Sequence, residues 1–305
     1  MASIGMSQAA AGALAFLLTD ALMPQWEYKG VDLSATLLNI SGSFLAGLAN
    51  GGGAAREDST SSEIRAAISI MMSGFLAVWT SLAFTVEHAA HLAAVTSLEA
   101  GAAYLLASIL LGWGVYLLGH RWGRRWRVSR KAVDWAKRYP LWLCEGAERA
   151  ALLGTVAVVA WGGWMAGQHP HRLGWGVIMS IAGGMLGNWF SGLNGGTEGR
   201  INWGDWRCNT LAFAGMVSAG RYAARLDPEE REPVIESAFF VALVAQGFGT
   251  ISGFSDLSAD AGELALKGDY GAAAANMILN IATAGVALLA RLKAEKIFLQ
   301  ADVYS

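Results

Sequence analysis

Long apolar runs separated by short polar stretches occupy nearly the whole chain. Runs of roughly 18 or more residues with few charges predict membrane-spanning helices. They fall near 4–23, 31–50, 66–93, 98–119, 150–167, 173–192, 208–224, 233–258 and 270–290, an arrangement of four, one and four. Polar and small residues inside these runs return at a nearly constant offset. Gly12-Ala13-Leu14 recurs loosely as Gly184-Met185-Leu186, Asn39 as Asn209, Gly74-Phe75 as Gly247-Phe248, and Tyr104 with Ser108 as Asn276 with Asn280. The offsets lie between 170 and 173. Duplication of a small membrane domain leaves such weak internal symmetry. Polar side chains at matching depths are costly in lipid, so they mark candidate functional positions.

Two runs carry signs of interruption. The run near 66–93 is long, and the one near 233–258 holds Gly247, Gly249 and Gly253. Interrupted spans at corresponding places in two halves point to a transport site, because the freed carbonyl and N–H groups must be satisfied by something other than lipid. The third helix of each half is therefore expected to be broken.

Composition agrees with a membrane protein. Only 15% of the 305 residues are charged and 54% are hydrophobic, against about 25% charged in soluble domains. The first run lacks a basic leader and a clear cleavage site, and is expected to be a transmembrane helix. Cys144 and Cys208 are too few for a disulfide framework and have no CxxC partner. A formal net charge of −2 suggests no nucleic-acid partner, and no Walker or dinucleotide glycine loop is present.

Between His120 and Arg138 lie eight of the 22 Lys and Arg residues: Arg121, Arg124, Arg125, Arg127, Arg130, Lys131, Lys137 and Arg138. So basic a stretch predicts a cytoplasmic loop over 120–148, with Trp122, Trp126 and Trp135 at the headgroup interface. Four preceding spans put the N-terminus in the cytoplasm as well. The single helix near 150–167 then reverses the second half against the first. The expected fold is all-α and polytopic, an inverted repeat of two four-helix domains (1–119 and 171–305). Residues 120–170 supply the basic loop and a linker transmembrane helix. Later charges oppose this only weakly, since Arg221, Arg225 and Arg231 are mixed with Asp227, Glu229, Glu230 and Glu232.

The segment Gly247-Phe248-Gly249-Thr250-Ile251-Ser252-Gly253-Phe254-Ser255 packs glycines, hydroxyls and rings together at membrane depth. Glycines permit close approach and hydroxyls donate hydrogen bonds. Ring edges are electropositive, so an anion can meet them without a formal cation. The run from Gly74 to Phe84 offers similar ingredients with fewer glycines.

Three stretches together resemble the fluoride channel (fluoride exporter) family: Thr-x-x-Asn-x-x-Gly-Ser-Phe at 36–44, Gly74-Phe75 followed by Thr80-Ser81, and Tyr-x-x-x-Ser-x-x-x-Gly at 104–112. Single-domain members of that family dimerise antiparallel, and eukaryotic members are fused two-domain chains with a linker helix. The resemblance implies a fluoride pore lined by Asn39, Asn209, Thr80, Ser81, Phe84, Tyr104, Ser108, Ser252, Phe254, Ser255 and Asn280. It also implies a structural sodium ion (Na+) on backbone atoms of Ala77, Val78, Gly249 and Thr250, with no organic cofactor. Passive export of fluoride through a single chain in the plasma membrane follows. This sequence departs from the family pattern at Phe16 and Asn188 for the first-helix arginine, Leu82 and Leu257 for pore phenylalanines, and Asn276 for the tyrosine. The two implied pores are therefore not equivalent.

Plainer readings stand beside these. Asn39 and Asn209 suit interhelical hydrogen bonding, Phe75, Phe84 and Phe248 suit packing, and Ser108 suits back-bonding within its helix. Glu87, His88 and His91 read as a polar helix end at the interface rather than a metal site, and Asp256 and Asp260 as the cytoplasmic exit of the second break. The rival function is a proton-coupled small-molecule exporter, which needs a membrane-embedded carboxylate. Asp20 is the first helix's acid and Gly192 stands at its counterpart. An intramembrane enzyme finds no HExxH and no matched serine, and the chain is not expected to be an enzyme.

Overall fold

The computed structural model describes residues 27–28, 31–54, 76, 80–125, 172–192 and 201–304. The expected helices near 4–23 and 150–167, the sodium positions Ala77 and Val78, and the basic stretch beyond Arg125 lie outside the described residues.

Beyond a two-residue antiparallel ladder between β1 (Glu27–Tyr28) and β2 (Val31–Asp32), the described structure is helical. The first part contains α1 (Leu33–Ala54), α2 (Leu82–Val95) and α3 (Leu98–Arg125). Then come α4 (Arg172–Gly192), α5 (Trp203–Ala223), α6 (Pro228–Ile235) and α7 (Ala238–Ala242). A π-helical stretch (Leu243–Phe248) and one turn (Gly249–Ile251) lead to α8 (Phe254–Leu266) and α9 (Tyr270–Tyr304). Among the described residues three helices are long and apolar enough to cross a membrane: Leu98–Arg125, Ala238–Leu266 and Tyr270–Lys296. They mark the chain as an integral membrane protein.

Local chemistry sets the helix ends. Ser97 Oγ accepts the Ala100 amide at 3.2 Å at the start of α3, and Arg124 and Arg125 close its last turn, where cations oppose the helix dipole. His120–Arg125, expected to belong to the loop, instead continue the helix. Between α8 and α9 the chain reverses at Gly268, whose φ of 84° is open to glycine. Asp269 Oδ1 then caps α9 by accepting the Ala272 amide at 3.1 Å.

Both expected helix interruptions are present, the second at Gly253 of the three glycines rather than at Gly247 or Gly249. Gly247 and Gly249 lie within helical turns; the chain extends instead at Ser252 (φ −94°, ψ 101°) and Gly253 (φ −80°, ψ 107°). Its counterpart is Ser81 (φ −142°, ψ 121°), whose hydroxyl accepts the Phe84 amide and caps α2.

α1 and α3 run side by side in the same direction. Thr36 Oγ1 lies 2.7 Å from the Tyr104 hydroxyl near one end, and Asn50 Nδ2 donates to it at Tyr116 near the other at 3.1 Å. Four glycines bring the backbones into direct contact: Gly47 and Gly51 on α1, Gly119 and Gly123 on α3. This doubled small-xxx-small arrangement suits helices that associate in lipid, where close van der Waals packing replaces the hydrophobic drive.

α2 and α8 leave a shared centre in opposite directions along this pair. α2 passes Asn39 and reaches the Gly101 end of α3, where Gly101 faces Ala89 and Ala93. α8 passes Gly112 and Ser43 and reaches Tyr116 and Asn50. On the far side α2 packs on α9, which runs beside α5. The main core lies at this junction, with Leu82, Val86, Ile109, Phe213, Met216, Phe254, Leu257 and Leu288 buried together.

Candidate functional site

The two breaks meet at the centre of the molecule. The Leu82 amide donates to the Ser252 carbonyl at 3.3 Å, and Ser81 Oγ lies 3.3 Å from Ser252 Oγ. Two further contacts are reciprocal. Thr80 Oγ1 accepts the Ser255 amide at 3.2 Å, while Ser252 Oγ accepts the Ala83 amide at 2.8 Å. Residues 80 and 252, like 83 and 255, are 172 apart, so each contact is the other with the halves exchanged. Thr80 Oγ1 also lies 3.0 Å from Ser255 Oγ. Thr80, Ser252 and Ser255 are fully buried. The crossing therefore offers neutral hydroxyls without a formal charge among these side chains.

Asn39 holds the first break in place. Its Oδ1 accepts the Ser81 amide at 2.8 Å, and its Nδ2 donates to the Ser81 carbonyl at 3.1 Å and to Thr85 Oγ1 at 2.8 Å. Both amide protons are thereby used. Asn209 does something else: Nδ2 donates to Asn280 Oδ1 at 2.9 Å, and its own buried Oδ1 has no partner among the described residues. Asn280 Nδ2 donates to the Asn276 carbonyl at 3.0 Å, which fixes the orientation of both amides. The free atom of this asparagine pair is an acceptor, a poor match for an anion.

Between α1, α3 and α8 a polar seam extends from the Thr36–Tyr104 contact to Asn50. On α1 it carries Thr36, Asn39, Ser43 and Asn50; on α3, Tyr104, Ser108, Gly112 and Tyr116 follow at four-residue steps on one face. Ser43 Oγ donates to Ser258 Oγ at 3.4 Å. The Phe254 ring enters this seam at Gly112, where an added Cβ would stand 2.3 Å from Phe254 Cε1 and 3.2 Å from Ser258 Oγ. Phe254 and Ser108 are both buried, the ring lying about one helical turn from Ser108 along α3. The matching seam between α5, α9 and α2 is different. One end holds Asn202, whose Nδ2 donates to Asp205 Oδ2 at 2.5 Å and Asp260 Oδ2 at 2.7 Å. Beyond Asn209 the seam is filled by Phe213, Met216, Leu288 and Val86.

Its other end is closed by charge. Arg291 Nη2 donates to Glu87 Oε1 at 3.1 Å and Glu295 Oε1 at 2.6 Å, with His91 Nδ1 3.7 Å from Glu295 Oε2. Glu87 and His91, read from the sequence as a polar helix end, are drawn into an inter-helix network by a basic residue 204 positions from Glu87. Removing one partner of such a buried pair leaves uncompensated charge. Arg291→Met is expected to destabilise the protein by about 2–4 kcal/mol, allowing for the partial exposure of Glu87. A fall in the thermal unfolding midpoint in detergent measures this, and Glu87→Gln, which keeps a neutral acceptor, should lose less.

Phe84 is placed away from the polar seam. Its ring lies against Gly249, 3.3 Å from an added Cβ, and 5.9 Å from the His88 ring centroid. Thr250 is buried and its hydroxyl bonds the Gln246 carbonyl; the Gly249 carbonyl accepts Ser252 Oγ at 3.2 Å. No group of three His, Cys, Asp or Glu residues among the described residues is arranged to hold a metal. Any sodium ion here would rest on uncharged oxygen, as the carbonyls and hydroxyls of the crossing provide. Thr85, Ser258, Asn50, Tyr116 and Glu263 were not singled out by the sequence, although Thr36, Ser43 and Asn50 are seven apart and share a helical face.

No protein-family model, curated protein or solved structure matches this chain.

Proposed function

We propose that this chain is a passive fluoride channel, carrying fluoride out of the cytoplasm across the plasma membrane. It is built as an inverted repeat of two four-helix halves joined by a linker helix, so one chain supplies both halves. The observation that carries the reading is the reciprocal crossing, in which Thr80 and Ser255 exchange roles with Ser252 and Ala83. The opposite courses of α2 and α8 along α3 support inversion, because two halves related by an axis along the membrane normal would send both helices to one side.

The polar seam from Thr36 to Asn50 is the conduit in this reading. Fluoride holds its water tightly, and a narrow path must replace that shell with fixed donors. Tyr104 and Ser108 offer hydroxyls, and Phe254 offers a ring edge beside Gly112. Asn39 shapes the path by holding the break rather than by donating to the ion. Hydrogen fluoride enters cells as the neutral acid and ionises inside, and an inside-negative potential drives the anion out. A sodium ion at the crossing belongs to this proposal; its part would be to hold the breaks together, and the passage requires no organic cofactor and no covalent step.

A second reading is the proton-coupled exporter, favoured by the carboxylates of Asp205 and Asp260 that Asn202 bridges. Liposomes loaded with potassium fluoride separate the two. Fluoride efflux is expected on adding valinomycin, without a proton gradient and with chloride retained. Efflux that demands a proton gradient selects the exporter, and absence of fluoride efflux rejects the channel.

A further inference from the structure

The conduit ends where a carboxylate has no obvious reason to be. Asn50 Nδ2 donates to the Tyr116 hydroxyl and to Glu263 Oε1, both at 3.1 Å. Tyr116 is fully buried, its ring lying over Gly262 so closely that an added Cβ would stand 2.3 Å from Cδ1. Glu263 by contrast is 45% exposed, and its second oxygen lies 3.9 Å from Lys267 Nζ. The same end of α3 carries Arg121, Arg124 and Arg125. Basic residues there draw anions in, yet the first group that an arriving anion meets in the seam is itself anionic.

We propose that Asn50 and Tyr116 form an anion-docking site at this mouth, and that the Glu263 carboxylate is a tethered anion occupying it. The inference rests on the fluoride-conduction reading for the identity of the mobile anion. The chemistry of the site comes from its donors. Asn50 supplies amide protons, and a tyrosine hydroxyl that accepts from Asn50 keeps its own proton to donate. These are neutral donors, the kind a small anion needs when it sheds water without being trapped by a formal cation. Glu263 Oε1 takes one of them now. A tethered group competes at a high effective concentration, so a mobile anion must displace it. Lys267 receives the displaced carboxylate: the residues are four apart on α8, and a side-chain rotation carries the group from Asn50 toward solvent and Lys267. The gate thus has an inner partner, an outer partner and no backbone movement.

Competition makes a specific kinetic prediction. In liposomes, Glu263→Ala should lower the internal fluoride concentration for half-maximal efflux about tenfold, the worth of one charge-assisted hydrogen bond discounted for exposure. The maximal rate should change little. Glu263→Gln keeps a neutral acceptor and should fall between. Lys267→Met removes the outer partner and should raise the half-maximal concentration. If Glu263 only props α8 against α1, Glu263→Ala lowers the unfolding midpoint and the maximal rate and leaves half-saturation unmoved; that result overturns the proposal. If wild-type vesicles pass no fluoride, the conduction reading fails by itself. The docking site is then judged in detergent, where sodium fluoride, compared with sodium gluconate, should raise the unfolding midpoint of Glu263→Ala but not of wild type. No difference between the two proteins sinks it.

Discussion

Alanine at both Gly47 and Gly119 is expected to unfold the bundle in mild detergent at temperatures where the native protein persists. An added Cβ at Gly47 would stand 2.1 Å from the Tyr116 carbonyl oxygen and 2.8 Å from the His120 nitrogen. At Gly119 it would stand 2.2 Å from the Phe44 carbonyl oxygen. These neighbours are backbone atoms inside helices, so neither rotation nor a rotamer change relieves the clash. Each methyl forces α1 and α3 apart, at about 1–3 kcal/mol for an overpacked site. The two sites share one interface and their costs will not add independently. Against a total of about 5–15 kcal/mol the double substitution removes much of the margin. It also pulls apart Asn50 and Tyr116, and so opens the proposed conduit at that end. Gly114 on the same helix has nothing within 4 Å of an added Cβ. Gly114→Ala should be neutral or stabilising by about 0.5–1 kcal/mol, since alanine favours the helix. Thermal unfolding of the three proteins side by side decides it. Equal midpoints for Gly114→Ala and the double variant would show that the helices are not held by their glycines.

What the sequence made legible follows from which forces are local. Hydropathy located α3 and α9 because a span must be apolar over a fixed length, and it placed the helices α1 and α4 as well. It ended α3 and α9 too early: the last turns of α3 are basic, and α9 continues past Arg291, whose charge is met by Glu87 and Glu295. Of the three glycines that announced a break in the second half, Gly253 lies at it. Gly247 and Gly249 permit extended backbone without requiring it. The break forms where hydroxyls from the other half take over helix hydrogen bonds, as Thr80 does for the Ser255 amide, and that partner is distant in sequence. The repeat offset identified Asn39 and Asn209 as counterparts, and both are buried. Their roles diverged because Ser81 and Thr85 stand opposite one and Asn280 opposite the other. Glycines at 47, 51, 119 and 123 were readable as paired small-xxx-small motifs, yet pairing them required knowing that α1 and α3 are neighbours.

That divergence gives the second large effect: alanine at Asn39 should reduce fluoride efflux by at least about a hundredfold, while alanine at Asn209 leaves it within a fewfold. Asn39 satisfies the Ser81 amide, the Ser81 carbonyl and the Thr85 hydroxyl in one buried place. Thr85 can still donate to the Ser81 carbonyl at 3.1 Å, so the amide is the group left orphaned outright. A buried unsatisfied donor costs about 1–3 kcal/mol, and the chain escapes that cost by letting the break collapse or turn. Either movement shifts Ser81, and with it the Ser81–Ser252 contact and the crossing that both halves share. Asn209 lies elsewhere in the balance. Its loss frees Asn280 Oδ1 and removes an oxygen that already had no partner among the described residues, so gain and loss nearly cancel. Its surroundings, Phe213, Met216 and Leu288, do not carry the ion in the proposed path. Efflux from liposomes, normalised to monodisperse protein by gel filtration, is the measurement. If Asn209→Ala abolishes transport and Asn39→Ala preserves it, the ion travels between α5, α9 and α2, and the polar seam beside α1 is structural.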